Sequence, residues 1–474
     1  MEEYTMDTNL RSQIEAWFAA HTEEYVADLA KIVNIRSVSD PTSPVAPFGQ
    51  GCRDVLDKML EIGTGYGFQA KNYDYYVGSL TSPGKGEGTV GLWGHLDVVP
   101  EGDGWEHQPY NMTREGDVLF GRGVSDNKGP ALVGLYALRC LRDLGIELQN
   151  TVSLYLGTDE EKGMSDVTWF REHYPLPDCS IIPDSGFPVC YGEKGILEGS
   201  LVSAKALSGD ILEMGGGLVS NMVPDKAYVV LKESAALFQK LNAISAPFTV
   251  EREPGKVIIR AEGQAVHAAF PYNGVNAIHL LTQMLVASGI ATPADAEILN
   301  FATAVNNDVL GTALNIACED EVSGNLTCVG SLLSMKDGKL CLGFNVRYPV
   351  TADGDAIRAS ILNTASENGY TLEKVRDSKP AYVPKDSPLV TTLNGIFNQI
   401  TGEEREPYTM AGGTYARKLT NAVAFGPGGL ETPDNLPEMG GAHQHDEGVY
   451  LPSLLQAALI YTMTLVALDG VKLK

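Results

Sequence analysis

Apolar positions recur at helical spacing over residues 8–32, at Leu10, Ile14, Phe18, Tyr25, Leu29 and Ile32, which predicts one or two amphipathic helices at the start of the chain. The pattern then changes to alternation. Short apolar runs at 89–93, 151–156 and 179–182 predict strands, and 130–144, closed by Gly145, and 167–173 predict helices between them. Strand–helix–strand alternation implies an α/β sheet with parallel components. From about 190 to 383 the β-prone runs are longer (226–231, 257–261, 339–347) and accompany helical patterns at 235–242 and 276–288, which reads as a separate α+β unit.

Prolines mark both edges of that unit, Gly186-Phe187-Pro188 on entry and Lys379-Pro380 to Pro388 on exit, so it is expected to be an insertion with hinges at those points. The predicted organisation is a first domain in two parts, 1–188 and 384–474, and an inserted domain, 189–383. In fold class this is α/β, with a mixed, largely parallel sheet flanked by helices, plus an α+β insertion.

Length agrees, because 474 residues exceed what a single core sustains. The excess of 60 acidic over 35 basic side chains, a formal charge of −25, repels nucleic acid and anionic lipid. The seven cysteines are odd in number, scattered and never spaced C-x-x-C, which favours a reducing compartment over a disulfide framework or a structural zinc knot. The Met-Glu-Glu start lacks the basic and apolar segments of an export signal, and the apolar stretch at 455–468 is shorter than the roughly 18–20 residues that span a bilayer. A cytoplasmic protein with no membrane or nucleic-acid partner is expected.

The chemistry lies where the strands end. His95 in GHLDVVP, Glu160 and Glu161 in TDEEKG, and Asp184 in PDSG each follow an apolar strand, the place where α/β sheets gather ligands. Asp126 lies in the glycine-rich GRGVSDNKGP before a helix, and His443 in GAHQHDE near the C-terminus. Any one of these motifs alone is ordinarily a solvated polar turn. Together, imidazoles and carboxylates suit two divalent cations such as zinc, manganese or cobalt, whereas magnesium or calcium cages favour oxygen alone.

GHLDVVP, GRGVSDNKG, TDEEKG, PDSG and the late HxxxE segment occur in the order found in the aminoacylase/carboxypeptidase/dipeptidase family of co-catalytic metallopeptidases, which the chain resembles over nearly its whole length. SNMVPDKA (220–227) and GGTYAR (412–417) look similar to its bacterial dipeptidase, carnosinase-like branch. The resemblance implies that Asp126 bridges two metal ions, that His95 and Asp184 complete one site, and that Glu161 and His443 complete the other. It makes Glu160 the general base, Asp97 the group orienting His95, and the Asp126–Asn127 peptide bond cis. In the insertion it implies that His267 is a lid histidine donating to the oxyanion, and Arg347 a clamp for the substrate carboxylate. Arg417 and the amides of Gly413 and Thr414 are further candidates for that anion. His445, His21, His107, His173 and His279 are expected to be bystanders.

The activity implied is hydrolysis of dipeptides or very short peptides. A deacylase or desuccinylase of N-acyl amino acids could use the same centre, and a non-catalytic peptide-binding protein is the alternative from another class, against which the intact Glu160 argues. Relatives with a small lid commonly dimerise, and this insertion is nearly twice as long as such a lid. Here the second half of the insertion, from 263 on, resembles such a lid by itself and the first half looks like another unit of similar content, so a monomer with a self-complementing lid is expected.

Overall fold

The computed structural model describes residues 7–241 and 244–473; the N-terminal Met-Glu-Glu and Asn242 of the expected 235–242 helix lie outside them. The chain forms two compact units. One comprises Met1–Gly192, Ala381–Thr409 and Gly413–Lys474, the other Glu193–Pro380 and Met410–Gly412.

The first unit is built on a nine-stranded mixed sheet. At its centre Thr151–Gly157, Thr89–His95, Cys179–Ile182 and Ala422–Phe425 run parallel, while Gln69–Tyr73, Val77–Ser82 and Val189–Glu193 add antiparallel strands outside them. Residues 8–32 form a single helix, Thr8–Val33, whose N-cap Asp7 accepts from the amides of Asn9 and Leu10. Lys128–Asp143 packs on the central strands and is covered by Thr8–Val33 and Leu451–Leu468. Every residue from Lys128 to Leu141 is therefore buried, as a helix enclosed on all sides requires.

Leu451–Leu468 extends the apolar stretch anticipated at 455–468. By length and composition its 18 residues could cross a membrane, but the helix is 72% buried inside the fold. It is enclosed by neighbouring helices of its own unit. Gly186–Pro188, expected as a hinge, is tied into the first unit instead. Phe187 is buried, its amide donates to Gly428, and Ser185–Gly186 pairs in parallel with Pro427–Gly428.

The second unit carries an eight-stranded antiparallel sheet. Its two halves are interleaved and not two self-contained lids. Gly195–Ala206, from the first half, pairs on one edge with Lys339–Tyr348 and on the other with Tyr370–Ser378, both from the second. The hydrophobic core beneath is shared in the same way, Leu197 and Val229 packing in one cluster with Leu342 and Ile361.

Candidate metal centre

The register of the central strands builds the site. His95 stands opposite Gly157 and Leu92 opposite Ile181, so three parallel strands finish at one level and deliver His95, the 158–161 loop and Pro183–Asp184 to the same edge. Gly94 makes room for this: a Cβ there would meet Ala131 Cβ at 2.8 Å and Asn127 Oδ1 at 2.9 Å. Asn127 follows Asp126 through a cis peptide bond, as the resemblance implies. Its side-chain carbonyl accepts from the His95 amide (3.3 Å) and its amide group donates to Pro183 O (2.6 Å) and Asp184 Oδ1 (3.2 Å). One asparagine thus ties together the three segments carrying His95, Asp126 and Asp184.

Asp126 lies between two imidazoles. Its Oδ1 is 3.0 Å from His95 Nε2 and its Oδ2 is 3.2 Å from His443 Nε2. His443 Nε2 also lies 3.0 Å from Glu161 Oε1, and His95 Nε2 lies 3.9 Å from Asp184 Oδ1. Two donor groups result, His95 with Glu160 and Asp184, and His95 with Asp126 and Glu161; within each the donor atoms lie within 4.8 Å of one another. Glu160 is therefore as close to this cluster as the carboxylates expected to be ligands, and distance alone does not set it apart.

Electrostatics show what the cluster lacks. Burial disfavours a charged His95, yet hydrogen bonds to Asp126 and Asp97 and the charge of Asp184 outweigh it and hold the imidazole well above its ordinary value. His443 is pushed up to about 10 by its hydrogen bonds to Asp126 and Glu161. Burial, Asp184 and Glu161 push Glu160 far up, although His95 opposes them. Asp126 resists its burial and stays well below the carboxylate range, because both histidines hydrogen-bond to it. Without cations, protons on the imidazoles supply the positive charge this acidic cluster demands. The donor set, nitrogen plus carboxylate oxygen, fits divalent transition-type metals.

Three further buried acids organise loops, with backbone N–H groups as their partners. Asp97 accepts from the amides of Glu160 and Glu161 (both 3.1 Å). The closest contact of His95 Nδ1 is the carbonyl of Asp97 at 2.9 Å, its carboxylate being at 3.5 Å, so the backbone shares the orienting role. Asp166 accepts from the amides of Thr158 and Asp159 and from Tyr415 Oη. Glu447 accepts from the amides of Gly123, Ser125 and Asp126, from Ser125 Oγ and from Arg122 Nη1 (2.8–3.0 Å). It thereby fastens the segment of His443 to that of Asp126. Sequence reasoning missed Asn127, Asp166 and Glu447 as positioning residues. Glu447 had a signal, its place in the HxxxE pattern; Asp166 had none.

With this geometry in view, the family model described as peptidase family M20/M25/M40 matches residues 91–467. The chain belongs to that family. It is a metallopeptidase, a hydrolase acting on peptide bonds. A relative named "Putative dipeptidase YtjP" from Bacillus subtilis (strain 168) is 34% identical over 460 residues, covering 94% of this chain and 96% of its own length. Another, named "Putative dipeptidase", from Staphylococcus epidermidis is 30% identical over 466 residues, 94% of this chain and 97% of the relative. The crystal structure of human carnosine dipeptidase 1 shares the fold, with a TM-score of 0.58 at 15% identity over 98% of this chain and 99% of that one.

The other expected site residues of this M20/M25/M40 peptidase fall as follows. His267, in the second unit, is solvent-exposed and accepts from the Ala269 amide at Nδ1 (3.2 Å), which leaves the proton on Nε2. Partial desolvation and the charge of Arg347 lower its pKa, so it is a neutral N–H donor near pH 7. Arg347 is buried; its Nε donates to Asn345 (2.8 Å) and its Nη1 to Ala411 O (3.0 Å), so much of its guanidinium is engaged within the unit. In the first unit the Thr414 hydroxyl caps the short helix Tyr415–Lys418, and Arg417 lies over Gly413 so closely that a Cβ there would meet it at 2.0 Å. His445 lies outside the cluster against Asp446, and His107 pairs with Asp446 and Glu115.

Glu447→Ala should leave Arg122, 1% exposed, without its carboxylate, at a cost of about 3–5 kcal/mol. Chemical unfolding should show that loss together with weakened metal binding; unchanged stability and metal affinity would refute the clasp. Metal binding should also be proton-linked. A ligating imidazole must be neutral, and His443, expected as a ligand, is pushed up to about 10 by its hydrogen bonds to Asp126 and Glu161. Apparent affinity should then fall by about tenfold per pH unit for each proton displaced as pH drops below that value. Calorimetry at pH 7 in buffers of different ionisation heat should report protons released, and a count of zero would contradict the linkage.

Proposed function

We propose that this chain is a metal-dependent dipeptidase acting through two divalent cations, zinc being the best match to the donors, bridged by Asp126. The observation that carries this reading is that the two carboxylate oxygens of Asp126 face two different imidazoles, His95 and His443. Relatives of nearly full length that carry dipeptidase names support the substrate class.

In this reading His95 and Asp184 hold one cation, Glu161 and His443 the other. Bound cations lower the pKa of water and polarise a carbonyl. The chain's own residues do the rest. Glu160 stays free of the cations, takes the proton of the attacking water and passes it to the leaving amine, a role suited to a carboxylate whose pKa its surroundings raise. Asp97 fixes the Glu160–Glu161 backbone and the His95 ring. His267, neutral with an Nε2–H, is assigned the oxyanion, and Arg347 the substrate carboxylate, with Gly413, Thr414 and Arg417 as auxiliary anion contacts. The protein is assigned to the cytoplasm as a monomer, which a single-chain mass in solution would support.

Glu160→Gln should retain both metals while turnover falls by about 10²–10⁴-fold; near-normal turnover would remove Glu160 from the mechanism. Asp126→Ala should lose activity and both metals together, and full occupancy in that variant would contradict the bridge. Dipeptides assayed beside N-acyl amino acids separate the dipeptidase from a deacylase, which would process only the latter.

A further inference from the structure

A cavity of about 370 Å³ opens in the first unit beside Asp126 and Asp184, within the size range of small-ligand pockets. Its wall combines Leu430, Met439, Val449 and Leu454 with the hydroxyl-bearing Ser125, Ser185, Thr432, Tyr450 and Ser453, and among the described residues lining it the only charged side chains are Asp126 and Asp184. Those two carboxylates would face the cations in the reading above, so with metals bound the cavity would present a mostly apolar, uncharged surface to whatever lies next to the scissile carbonyl. The wall is assembled from separate segments. Pro427–Gly428 is held by Ser185–Gly186, Gly448–Tyr450 pairs with Val118–Phe120, and Leu454 belongs to the buried helix Leu451–Leu468. Sheet and helix both fix its shape.

We propose that this cavity is the specificity pocket for the side chain of the substrate's N-terminal residue, and that it selects apolar side chains such as Leu, Met and Phe over Asp and Glu. The proposal rests on the dipeptidase reading. Its argument is continuity: the residue whose carbonyl the cations would polarise carries its side chain on the adjoining Cα, and the space beside Asp126 and Asp184 is this cavity. An acidic side chain placed there would surrender its hydration to a mostly apolar wall that offers no Lys, Arg or His to pair with it. Each methylene that fits gains a factor of roughly 10–200 in such a pocket.

The test is a matrix of dipeptides, X-Ala and Ala-X with X as Gly, Leu, Met, Phe, Lys, Asp or Glu, measured as kcat/KM on the metal-loaded protein and on Met439→Arg and Leu430→Arg. Both altered side chains are only partly buried, and the readout is a ratio, which a folding defect does not reverse. The expected result is at least tenfold preference for Leu-Ala and Met-Ala over Asp-Ala and Glu-Ala, with the ratio moving toward the acidic substrates by tenfold or more in at least one variant. Selectivity confined to the Ala-X series, or X-Ala ratios unchanged in both variants, would overturn the pocket while leaving the dipeptidase reading intact. Turnover of N-acyl amino acids with none of any dipeptide would overturn the dipeptidase reading, and the pocket assignment with it.

Discussion

Everything at the site depends on one carboxylate held between two imidazoles. Asp126 offers a different oxygen to His95 and to His443, and the surrounding Glu160, Glu161 and Asp184 concentrate negative charge that the imidazoles alone do not balance. Such a cluster is tolerable only with positive charge inside it, since desolvated like charges are costly. Protons can supply part of that charge, and bound divalent cations would supply more. The fold is the framework that keeps these acids together despite their repulsion.

How it does so divides the acids into two kinds. Asp97, Asp166 and Glu447 direct their oxygens at backbone N–H groups and hold loops in place. The carboxylates of Asp126 and Glu161 turn toward imidazole nitrogens. The first kind makes the second possible: Asp97 presents Glu160 and Glu161, Glu447 presents Asp126, and Asn127 ties together the segments of His95, Asp126 and Asp184. The same logic explains why Gly94 and Gly157 sit at strand ends. A Cβ at Gly157 would meet Tyr415 Oη at 1.9 Å and Asp166 Oδ2 at 2.5 Å, displacing the pair that supports the 158–161 loop.

Much of this was legible in the sequence because local signals and strand ends coincide. The apolar runs at 89–93, 151–156 and 179–182 become strands that stop where His95, the Glu160–Glu161 pair and Asp184 begin. Membership in the metallopeptidase family followed from motifs in a fixed order. What was not legible depends on long-range partners. The motifs set Asp97 beside His95 and Asp126 at the centre, but only the folded chain shows that Asp97 accepts from the amides of Glu160 and Glu161. Glu447 reaches across more than 300 positions to the 121–126 loop. The interleaving of the inserted unit also escaped, because nothing local tells Gly195–Ala206 that its neighbours are Lys339–Tyr348 and Tyr370–Ser378. The full length of Leu451–Leu468 was obscured by its proline, which falls at the first turn, where it costs no hydrogen bond.

The central claim is that Asp126 bridges two cations. Crystals grown with zinc and measured on either side of the zinc absorption edge test it most directly. The account requires two anomalous peaks, one within ligand distance of His95 and Asp184, the other of His443 and Glu161, each touching one oxygen of Asp126. A single peak, or two peaks of which one makes no contact with Asp126, would contradict it.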